Sequence, residues 1–308
     1  MINVRKLPTR KNVLMGIVYP RSRIKTYVFK EGTDFSILEE TQMKFVNQSG
    51  VMLVWLNIII FALSVTCITH AALVDKETIE VLYLFDEGEG EIAVDSSPNG
   101  RDGSIIGAQY AEGIFGMCLL YDGQDDNLIV TGYTGVGGVD PRTTLFWFKA
   151  NGTRDHSWVK WGPNTSGAKY YIRAHVTGQA CFLRIEVNGG QNYGNDDVCD
   201  GEWHHLAVVF PEGADSVQDH DLYVDGKLQE KIGNDKEMNT NVEAQEINIG
   251  ARLTGHTFLM GFLDELAIFS AALDVDQINA IREDGLQGTV SVEPQGKLAT
   301  SWARIKKY

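Results

Sequence analysis

The stretch from Trp203 to Lys227 limits the possible folds of this chain more than any other. It begins WHHLAVVF, continues through an acidic connection and ends DLYVDGK. Both alternating sets of residues in 203–210 are largely apolar, which predicts a β-strand that is covered on both faces. Asp225-Gly226 predicts a tight turn, because glycine adopts positive φ without steric cost and aspartate tolerates it.

The two histidines of this stretch are weak candidates for a zinc site. His204 and His205 are neighbours on a predicted strand, so their side chains point to opposite faces and do not readily share one ion. We expect packed or hydrogen-bonded histidines instead, with Trp203 and His205 in the core.

Glycine content and charge limit the classes of protein to which this chain can belong. The 308 residues include 32 glycines and only 7 prolines, which favours a turn-rich all-β chain. Residues 1–50 carry nine basic and four acidic residues, a net +5, whereas the remainder carries 18 and 37, a net −19. An acidic main domain repels phosphate and argues against nucleic acid as a partner, and it is compatible with Ca²⁺.

The first 72 residues show the plan of an export signal. Residues 1–42 have basic clusters and no sustained period, so we expect them to be disordered or not translated. Met43-Lys44 precedes an uncharged apolar run over 51–69, and small residues follow up to Ala72. This pattern predicts a signal peptide over 43–72 with translation starting at Met43. The alternative is an uncleaved signal anchor, since ~19 apolar residues can span a bilayer.

Five motifs in order resemble one family. They are IEVLYLF at 79–85, GIFGMCLLYDG at 113–123, TTLFWFK at 143–149, EINIG at 246–250 and GFLDELAIF at 261–269. Together with the stretch at 203–227, they resemble the bacterial laminin-G-like, concanavalin A-like jelly rolls over about residues 79–285.

The resemblance implies an all-β fold, a two-sheet antiparallel jelly-roll sandwich over 73–285. A short helix over 276–282, capped by Asp274, would close the domain, and the apolar run would be an N-terminal export or anchor helix. Residues 286–308 would form a tail that is either a flexible extension or a sorting or docking tag.

The cysteines predict one bridge. Cys181 and Cys199 lie on either side of the Gly/Asn-rich connection NGGQNYGNDD, and in an exported protein such a pair favours a disulfide. It would close a loop of ~18 residues and contribute ~3 kcal/mol in the chain-entropy model. Cys118 would then be a buried free thiol.

The resemblance also implies a structural calcium ion. The fold often carries Ca²⁺ between the end of the first strand and the penultimate strand. Here the ligands would be Asp86 or Glu87 together with Asp264, with backbone carbonyls near Gly88 or Gly90. The alternative is that Asp86 and Asp264 only cap turns.

We assign no catalytic residue. Laminarinase-like glycoside hydrolases of this fold place paired carboxylates on one strand face, in a Glu-x-Asp-x-x-Glu or similar spacing. That spacing is absent from the sequence: Glu186 stands alone on its strand. Asp264 and Glu265 are adjacent, so on a regular strand they would point to opposite faces. We therefore expect the protein not to be an enzyme.

The sequence and the resemblance together predict an exported, non-catalytic binding or adhesion module for glycan or extracellular protein. Membrane contact is expected only through 51–69, if that segment is uncleaved. The polar loops at 122–126, 152–156 and 188–197 are candidate binding regions. Four aromatic residues either stack on sugar rings or belong to the core: Trp158, Trp161, Tyr170 and Tyr193. Two alternatives stay open, a carbohydrate-active enzyme on the same fold and a membrane-anchored structural domain without a small ligand.

Overall fold

The computed structural model describes residues 74–241, 246–252 and 257–290, together with short backbone segments at 5–6, 13–18 and 24–29. The chain divides into two units, Met1–Thr69 and His70–Tyr308. The predicted export segment at 51–69 and most of the predicted tail lie outside the described residues. Among those that are described, no helix is both long and apolar enough to cross a membrane.

The first unit contains three antiparallel strands, where the sequence predicted no regular element. They are β1 (Arg5–Lys6), β2 (Val13–Val18) and β3 (Ile24–Phe29), in the order β1-β2-β3. The predicted domain limits at 42, 72 and 285 stay predictions.

The second unit is a sandwich of two antiparallel sheets, as predicted. One sheet has eight strands in the order β17-β16-β15-β10-β22-β8-β7, with β4 also paired to β22. Its strands are β4 (Ile79–Tyr83), β7 (Gln109–Glu112), β8 (Met117–Asp122), β10 (Arg142–Asn151), β15 (Asp200–Phe210), β16 (Asp221–Val224), β17 (Lys227–Leu228) and β22 (Met260–Phe269).

The other sheet has nine strands in the order β18-β14-β13-β12-β11-β19-β9-β6-β5. Its strands are β5 (Ile92–Ala93), β6 (Gly103–Ile106), β9 (Asn127–Val130), β11 (Ser157–Trp161), β12 (Tyr170–Thr177), β13 (Ala180–Glu186), β14 (Gln191–Tyr193), β18 (Ile232–Asn234) and β19 (Ile247–Ile249). A separate pair is formed by β20 (Ala251–Arg252) and β21 (Thr257–Phe258). Two single-turn 3₁₀ helices lie at Lys76–Thr78 and Val217–Asp219.

The core lies between the two sheets and is rich in large aromatic side chains. Trp158 packs against both Phe146 and Phe148, with ring centroids 5.8 and 5.0 Å apart. Trp161 stacks on Tyr170 at 4.0 Å. All of these rings are fully buried. Burial of that much apolar surface is the main favourable contribution to folding.

Strand β15 is covered on both faces, as its sequence predicted. Leu206, Val208 and Phe210 belong to the core between the sheets. Ala207 and Val209 belong to a second apolar cluster on the outer face of the eight-stranded sheet. The predicted turn is also confirmed, since Asp225 and Gly226 have φ of 51° and 75°.

The second cluster is closed by a C-terminal helix, α1 (Val275–Thr289). Asp274 caps it: its Oδ1 accepts from the Gln277 N–H at 2.8 Å, and its own N–H donates to the Gln277 side chain at 3.0 Å. Ile278 and Ile281 are buried in the cluster, together with Leu145 of β10. The helix confirms the prediction over 276–282 and continues to Thr289.

The predicted disulfide is present. Cys181 of β13 and Cys199 are bonded, with Cα atoms 5.7 Å apart. Cys118 is a buried free cysteine, and burial raises the pKa of its thiol to about 12. The thiolate is therefore disfavoured, which makes Cys118 an inert packing residue.

One of the two neighbouring histidines is packed and the other is hydrogen-bonded, as expected. Trp203, however, does not lie in the core. His205 is fully buried against Trp147, at 5.2 Å between ring centroids. His204 instead hydrogen-bonds to Asp225 at 2.9 Å and to Asp200 at 3.1 Å. Trp203 is only half-buried, because it lies on the outer face of the eight-stranded sheet beyond the end of the helix-covered cluster.

Candidate functional site

A row of five side chains crosses five neighbouring strands of the eight-stranded sheet. Gln109 pairs with Leu120, Leu120 with Phe262, Phe262 with Lys149, and Lys149 with Trp203. Paired residues on antiparallel strands point to the same side of a sheet. The five side chains therefore share the outer face, at the end of the sheet that α1 does not cover. Trp203 and Phe262 lie 6.0 Å apart, on either side of the strand that carries Lys149.

A cavity of about 680 Å³ lies over Gln109, Leu120, Lys149 and Phe262 of this row, and Trp203 lies next to Phe262, outside the cavity lining. We call the row and its cavity the groove. Its lining is formed by Gly107, Gln109, Leu120, Tyr121, Asp122, Asp126, Lys149, Ala150, Asn151, Gly201, Met260, Gly261 and Phe262. Mostly apolar walls with a few polar groups are typical of a small-molecule site.

Residues 122–126 form an acidic rim of the groove, and hydrogen bonds within this segment hold it in place. The carboxylate of Asp126 accepts from the Asp122 N–H at 2.6 Å, and burial raises the pKa of Asp126. Asp122 accepts from the backbone and side chain of Gln124, at 2.7 and 2.8 Å. One oxygen each of Asp122, Asp125 and Asp126 lies within 4.8 Å of the other two. The rim is thus a pre-formed turn, and two of its residues, Asp122 and Asp126, line the cavity.

The four aromatic residues proposed for sugar stacking lie elsewhere. Trp158, Trp161 and Tyr170 are fully buried in the core, so the stacking hypothesis is wrong for them and the core alternative is confirmed. Tyr193 is half-buried and stacks on His175 at 3.9 Å, on the nine-stranded sheet.

Sequence reasoning missed the groove aromatics Trp203 and Phe262. A signal was present for Trp203, which has the opposite strand phase to Leu206 and Val208 and therefore cannot join them between the sheets. No comparable local signal marked Phe262, because its exposure depends on where α1 ends on the sheet.

The three predicted polar loops have different roles. Only 122–126 contributes to the lining of the groove. In 152–156, Arg154 donates to the Gly123 carbonyl at 3.0 Å and so supports the rim. In 188–197, Asp197 accepts from the N–H groups of both Cys181 and Cys199, at 3.0 and 3.1 Å, and so holds the disulfide.

Two of the three predicted calcium ligands meet at one turn. Asp86 accepts from the Met117 N–H at 3.0 Å. Asp264 accepts from the N–H groups of Ile114 and Phe115, at 2.9 and 3.1 Å. These donors belong to a single turn over 113–117, which the two carboxylates hold from either end.

Glu87 is engaged in a different place. Its carboxylate accepts from the Val94 N–H at 3.3 Å and from the Tyr110 hydroxyl at 3.2 Å. The structure therefore does not bring Glu87 to Asp264.

Glu265 lies on the same side of the sheet as Asp264. It has φ of 49°, and the pairing of β10 with β22 shifts here, from Leu145–Ala267 to Trp147–Asp264. A β-bulge of this kind places two consecutive residues on one side of the sheet. The expectation that Asp264 and Glu265 point to opposite faces is therefore wrong.

The bulge creates a buried acidic site. Asp86, Glu265 and Asp284 line a second cavity, of about 450 Å³. Burial raises the pKa of Asp264 to about 7 and that of Glu265 to about 8, and the nearby carboxylate of Asp86 adds to both shifts. Carboxylate oxygens are the donors that Ca²⁺ prefers, and a cation would relieve the repulsion that raises these pKa values. The donor type of Asp86, Asp264 and Glu265 suits a calcium ion, although their oxygens are not among the described groups that converge within 4.8 Å of one another.

A family model supports the resemblance seen in the sequence. The model described as the concanavalin A-like lectin/glucanases superfamily matches residues 122–279, about half of the chain. The chain belongs to this superfamily. The match confirms the concanavalin A-like fold inferred from the motifs. No curated protein sequence matches the chain.

Solved structures share the fold at low sequence identity. Domain 4 of AbnA, a GH43 extracellular arabinanase from Geobacillus stearothermophilus, was solved in complex with arabinotriose. It has a TM-score of 0.51 and 21% identity, over 66% of this chain and 98% of that one.

Two toxin domains are more distant. The binding domain of botulinum neurotoxin serotype G has a TM-score of 0.47 and 12% identity over 65% of this chain. The binding domain of Paraclostridial Mosquitocidal Protein 1 has 0.46 and 13% over 67%. The chain covers 50% and 52% of those two domains.

Proposed function

We propose that the concanavalin A-like domain is a non-catalytic binding module that holds a glycan in the groove. The observation that carries this proposal is the row on the groove floor, in which Lys149 lies between the aromatic residues Phe262 and Trp203. Sugars present apolar C–H faces and polar hydroxyl edges, so an aromatic floor with polar neighbours matches both.

Each part of the groove has a role in the proposed binding. A sugar ring packs on Trp203 or Phe262, and Lys149 donates hydrogen bonds to its hydroxyls. Gln109 and Asn151 offer both donors and acceptors, and Asp122 offers acceptors. All five strands of the floor are paired in one sheet, so little ordering accompanies binding, and the entropic cost of association is reduced.

One solved structure supports a glycan as the first ligand class to test. The arabinanase domain was solved in complex with arabinotriose, and it matches this fold along almost its whole length. At 21% identity the likeness does not extend to the ligand, and an extracellular protein is the other partner class for the same surface.

A glycan array with the full-length protein tests the proposal, followed by titration of the best neutral oligosaccharide. Trp203→Ala should weaken binding at least about tenfold, since loss of one buried aromatic contact corresponds to more than about 1.4 kcal/mol. Tyr133→Ala removes a half-buried aromatic that does not line the groove and is the matched control. Unchanged affinity in both Trp203→Ala and Lys149→Gln would exclude the groove as the site.

The same samples test the absence of catalysis. Asp264 and Glu265 are 0% and 3% exposed, so a substrate in the groove does not reach them. Release of reducing sugar from a polysaccharide panel would overturn the non-catalytic assignment.

We also propose that the domain is exported and carries a structural Ca²⁺ at Asp86, Asp264 and Glu265. The disulfide supports export, because such bonds persist in oxidising compartments. N-terminal sequencing of the protein from its native source tests the export segment. A start near Ala72 indicates a cleaved signal peptide, whereas retention of 43–72 indicates an anchor.

A further inference from the structure

We propose that the nine-stranded sheet carries a second binding site, which takes the carboxylate or sulfate groups of an acidic polysaccharide. The site is a set of four cations around one tyrosine, here called the cationic cluster: Lys169, Arg173, Arg184 and Arg252. It lies on the sheet opposite the groove, so it is independent of the function proposed above.

The cations surround the ring of Tyr171. The Lys169 Nζ lies 5.2 Å from the ring centroid, and the guanidinium carbons of Arg173 and Arg252 lie 5.1 and 5.7 Å from it. Arg184 pairs with Arg173 on the neighbouring strand, so it joins the same face. Three elements of the fold thus deliver positive charge to one place.

The cluster holds more positive than negative charge. Glu186 accepts from Lys169, from Arg184 at 2.5 Å and from Arg173 at 3.4 Å. The second acidic partner among the described residues is Asp155, which accepts from the Arg173 Nε at 3.0 Å. Four cations therefore share two carboxylates.

The excess of positive charge contributes to a lowered pKa of Arg173, one member of the cluster. Burial lowers the pKa of Arg173 to about 10, and the positive charge of Arg184 adds to the shift. Cations that destabilise each other in this way are stabilised by an added anion.

Two donors in the cluster have no acceptor in the part of the chain that the structure describes. They are the inward-lying Nε atoms of Arg184 and Arg252. Unsatisfied buried donors are costly, and a bound carboxylate or sulfate would supply the missing acceptors.

The surroundings favour a polysaccharide over other anions. Tyr193 pairs with Arg184 across the sheet and stacks on His175, which provides an aromatic platform beside the cations. Gln191 is the residue opposite Glu186 on the neighbouring strand, and its side-chain amide can bond sugar hydroxyls. Nucleic acid fits less well, because residues 51–308 carry a net −19 and repel a long polyphosphate.

The test is titration of the full-length protein with three polymers: polygalacturonate as the carboxylate source, dextran sulfate as the sulfate source, and neutral dextran. We expect binding of one or both anionic polymers that weakens steeply from about 50 to about 500 mM NaCl, because salt screens charge contacts. The Trp203→Ala protein is titrated in parallel and should bind the anionic polymers as the wild type does.

Two charge-removing variants locate the site. Arg252→Gln breaks no ion pair among the described residues and should weaken binding about tenfold, the equivalent of one charged hydrogen bond. Arg184→Gln should act similarly and Arg184→Lys much less. Lys149→Gln removes one cation from the groove and is the matched control. Melting temperatures confirm that each variant is folded.

The proposal fails if neutral dextran and the anionic polymers bind equally in all proteins, or if none of them binds. It also fails if folded Arg252→Gln and Arg184→Gln both keep wild-type affinity. Equal weakening by Lys149→Gln would show attraction by overall charge rather than a built site. Loss of neutral-glycan binding in Trp203→Ala bears on the groove alone.

Discussion

Asp264 and Glu265 are consecutive residues whose carboxyl groups both lie on the outer side of the eight-stranded sheet. The bulge at Glu265 produces this arrangement, and its carboxylate accepts from the Leu286 N–H at the kinked end of α1. Neutral pH lies near the raised pKa of both groups. The folded protein therefore holds protons here that the unfolded chain releases.

This difference predicts that stability falls as pH rises. The pKa of Glu265 is about 8 in the folded state against an ordinary 4.5, so the folded state binds more protons between these values. Without a divalent cation, the free energy of unfolding should decline across this window, by a few kcal/mol at most. Glu265→Gln should flatten the decline and be more stable than the wild type at pH 8. Chemical denaturation in EGTA at several pH values measures the free energy of unfolding of both proteins. A parallel decline in the two would contradict the raised pKa of Glu265.

Calcium should reverse the decline. Because Ca²⁺ binds the ionised carboxylates, millimolar Ca²⁺ should raise the melting temperature more at pH 8 than at pH 5.5. Glu265→Gln should lose most of that response, whereas Asp125→Asn, at the exposed rim of the groove, should retain it. A melting temperature that is the same in EGTA and in Ca²⁺ at pH 8 would remove the calcium proposal.

The sheet architecture was predictable from sequence, because it depends on local periodicity and ordered motifs. Residues 203–210 predicted a strand covered on both faces, and the structure places its two residue sets in two different clusters. Asp274 was predicted as a cap and forms a capping box. Both features can be predicted from local sequence, because they depend only on residue periodicity within one strand and on the hydrogen-bonding groups at a helix terminus.

The site was less predictable, because it depends on where elements meet. A strict two-residue period cannot reveal that Glu265 occupies a bulge, so Glu265 was not predicted to lie on the same side of the sheet as Asp264. The exposure of Trp203 depends on how far α1 reaches across the sheet. The cationic cluster likewise joins Arg173, Arg184 and Arg252 from three strands, and no local pattern relates them.

His204 should stabilise the fold more in acid than in base. Hydrogen bonds to Asp225 and Asp200 raise the pKa of His204 to about 9 from an ordinary 6.5. Its contribution is therefore complete below pH 6.5 and is lost as pH rises through 9. His204→Gln should cost about 1 kcal/mol at pH 6, since the pair is partly exposed, and little at pH 9.5. Urea denaturation at the two pH values checks this, and a cost that is independent of pH would refute the ion pairs.

The disulfide should contribute ~3 kcal/mol, because it restricts an 18-residue separation in the unfolded chain. The double variant Cys181→Ser/Cys199→Ser should be destabilised by that amount, whereas Cys118→Ala should cost less, since no bond is lost. In the denatured wild type, reduction should raise the count of reactive thiols by two. An unchanged count would mean that the bridge does not form.

Gly250 should tolerate no side chain. It has φ of 91°, and an added Cβ would lie 2.2 Å from a ring carbon of the buried Tyr121. Gly132 has φ of 74° with no atom within 4 Å of an added Cβ, so it is the matched control for backbone strain. Gly132→Ala should cost about 1 kcal/mol and Gly250→Ala at least about 2 kcal/mol more. Equal costs would show that Tyr121 moves aside freely.

The groove floor draws one residue from each of five strands, and the chain between its first and last members runs from Gln109 to Phe262. None of these residues is a sequence neighbour of another. The floor is therefore complete only after segments separated by more than half of the domain have come together. The ligand affinity proposed for the groove would thus be a property of the finished sandwich that no peptide or half-domain retains. Under the proposed function, partly folded copies would therefore not compete with the folded protein for ligand.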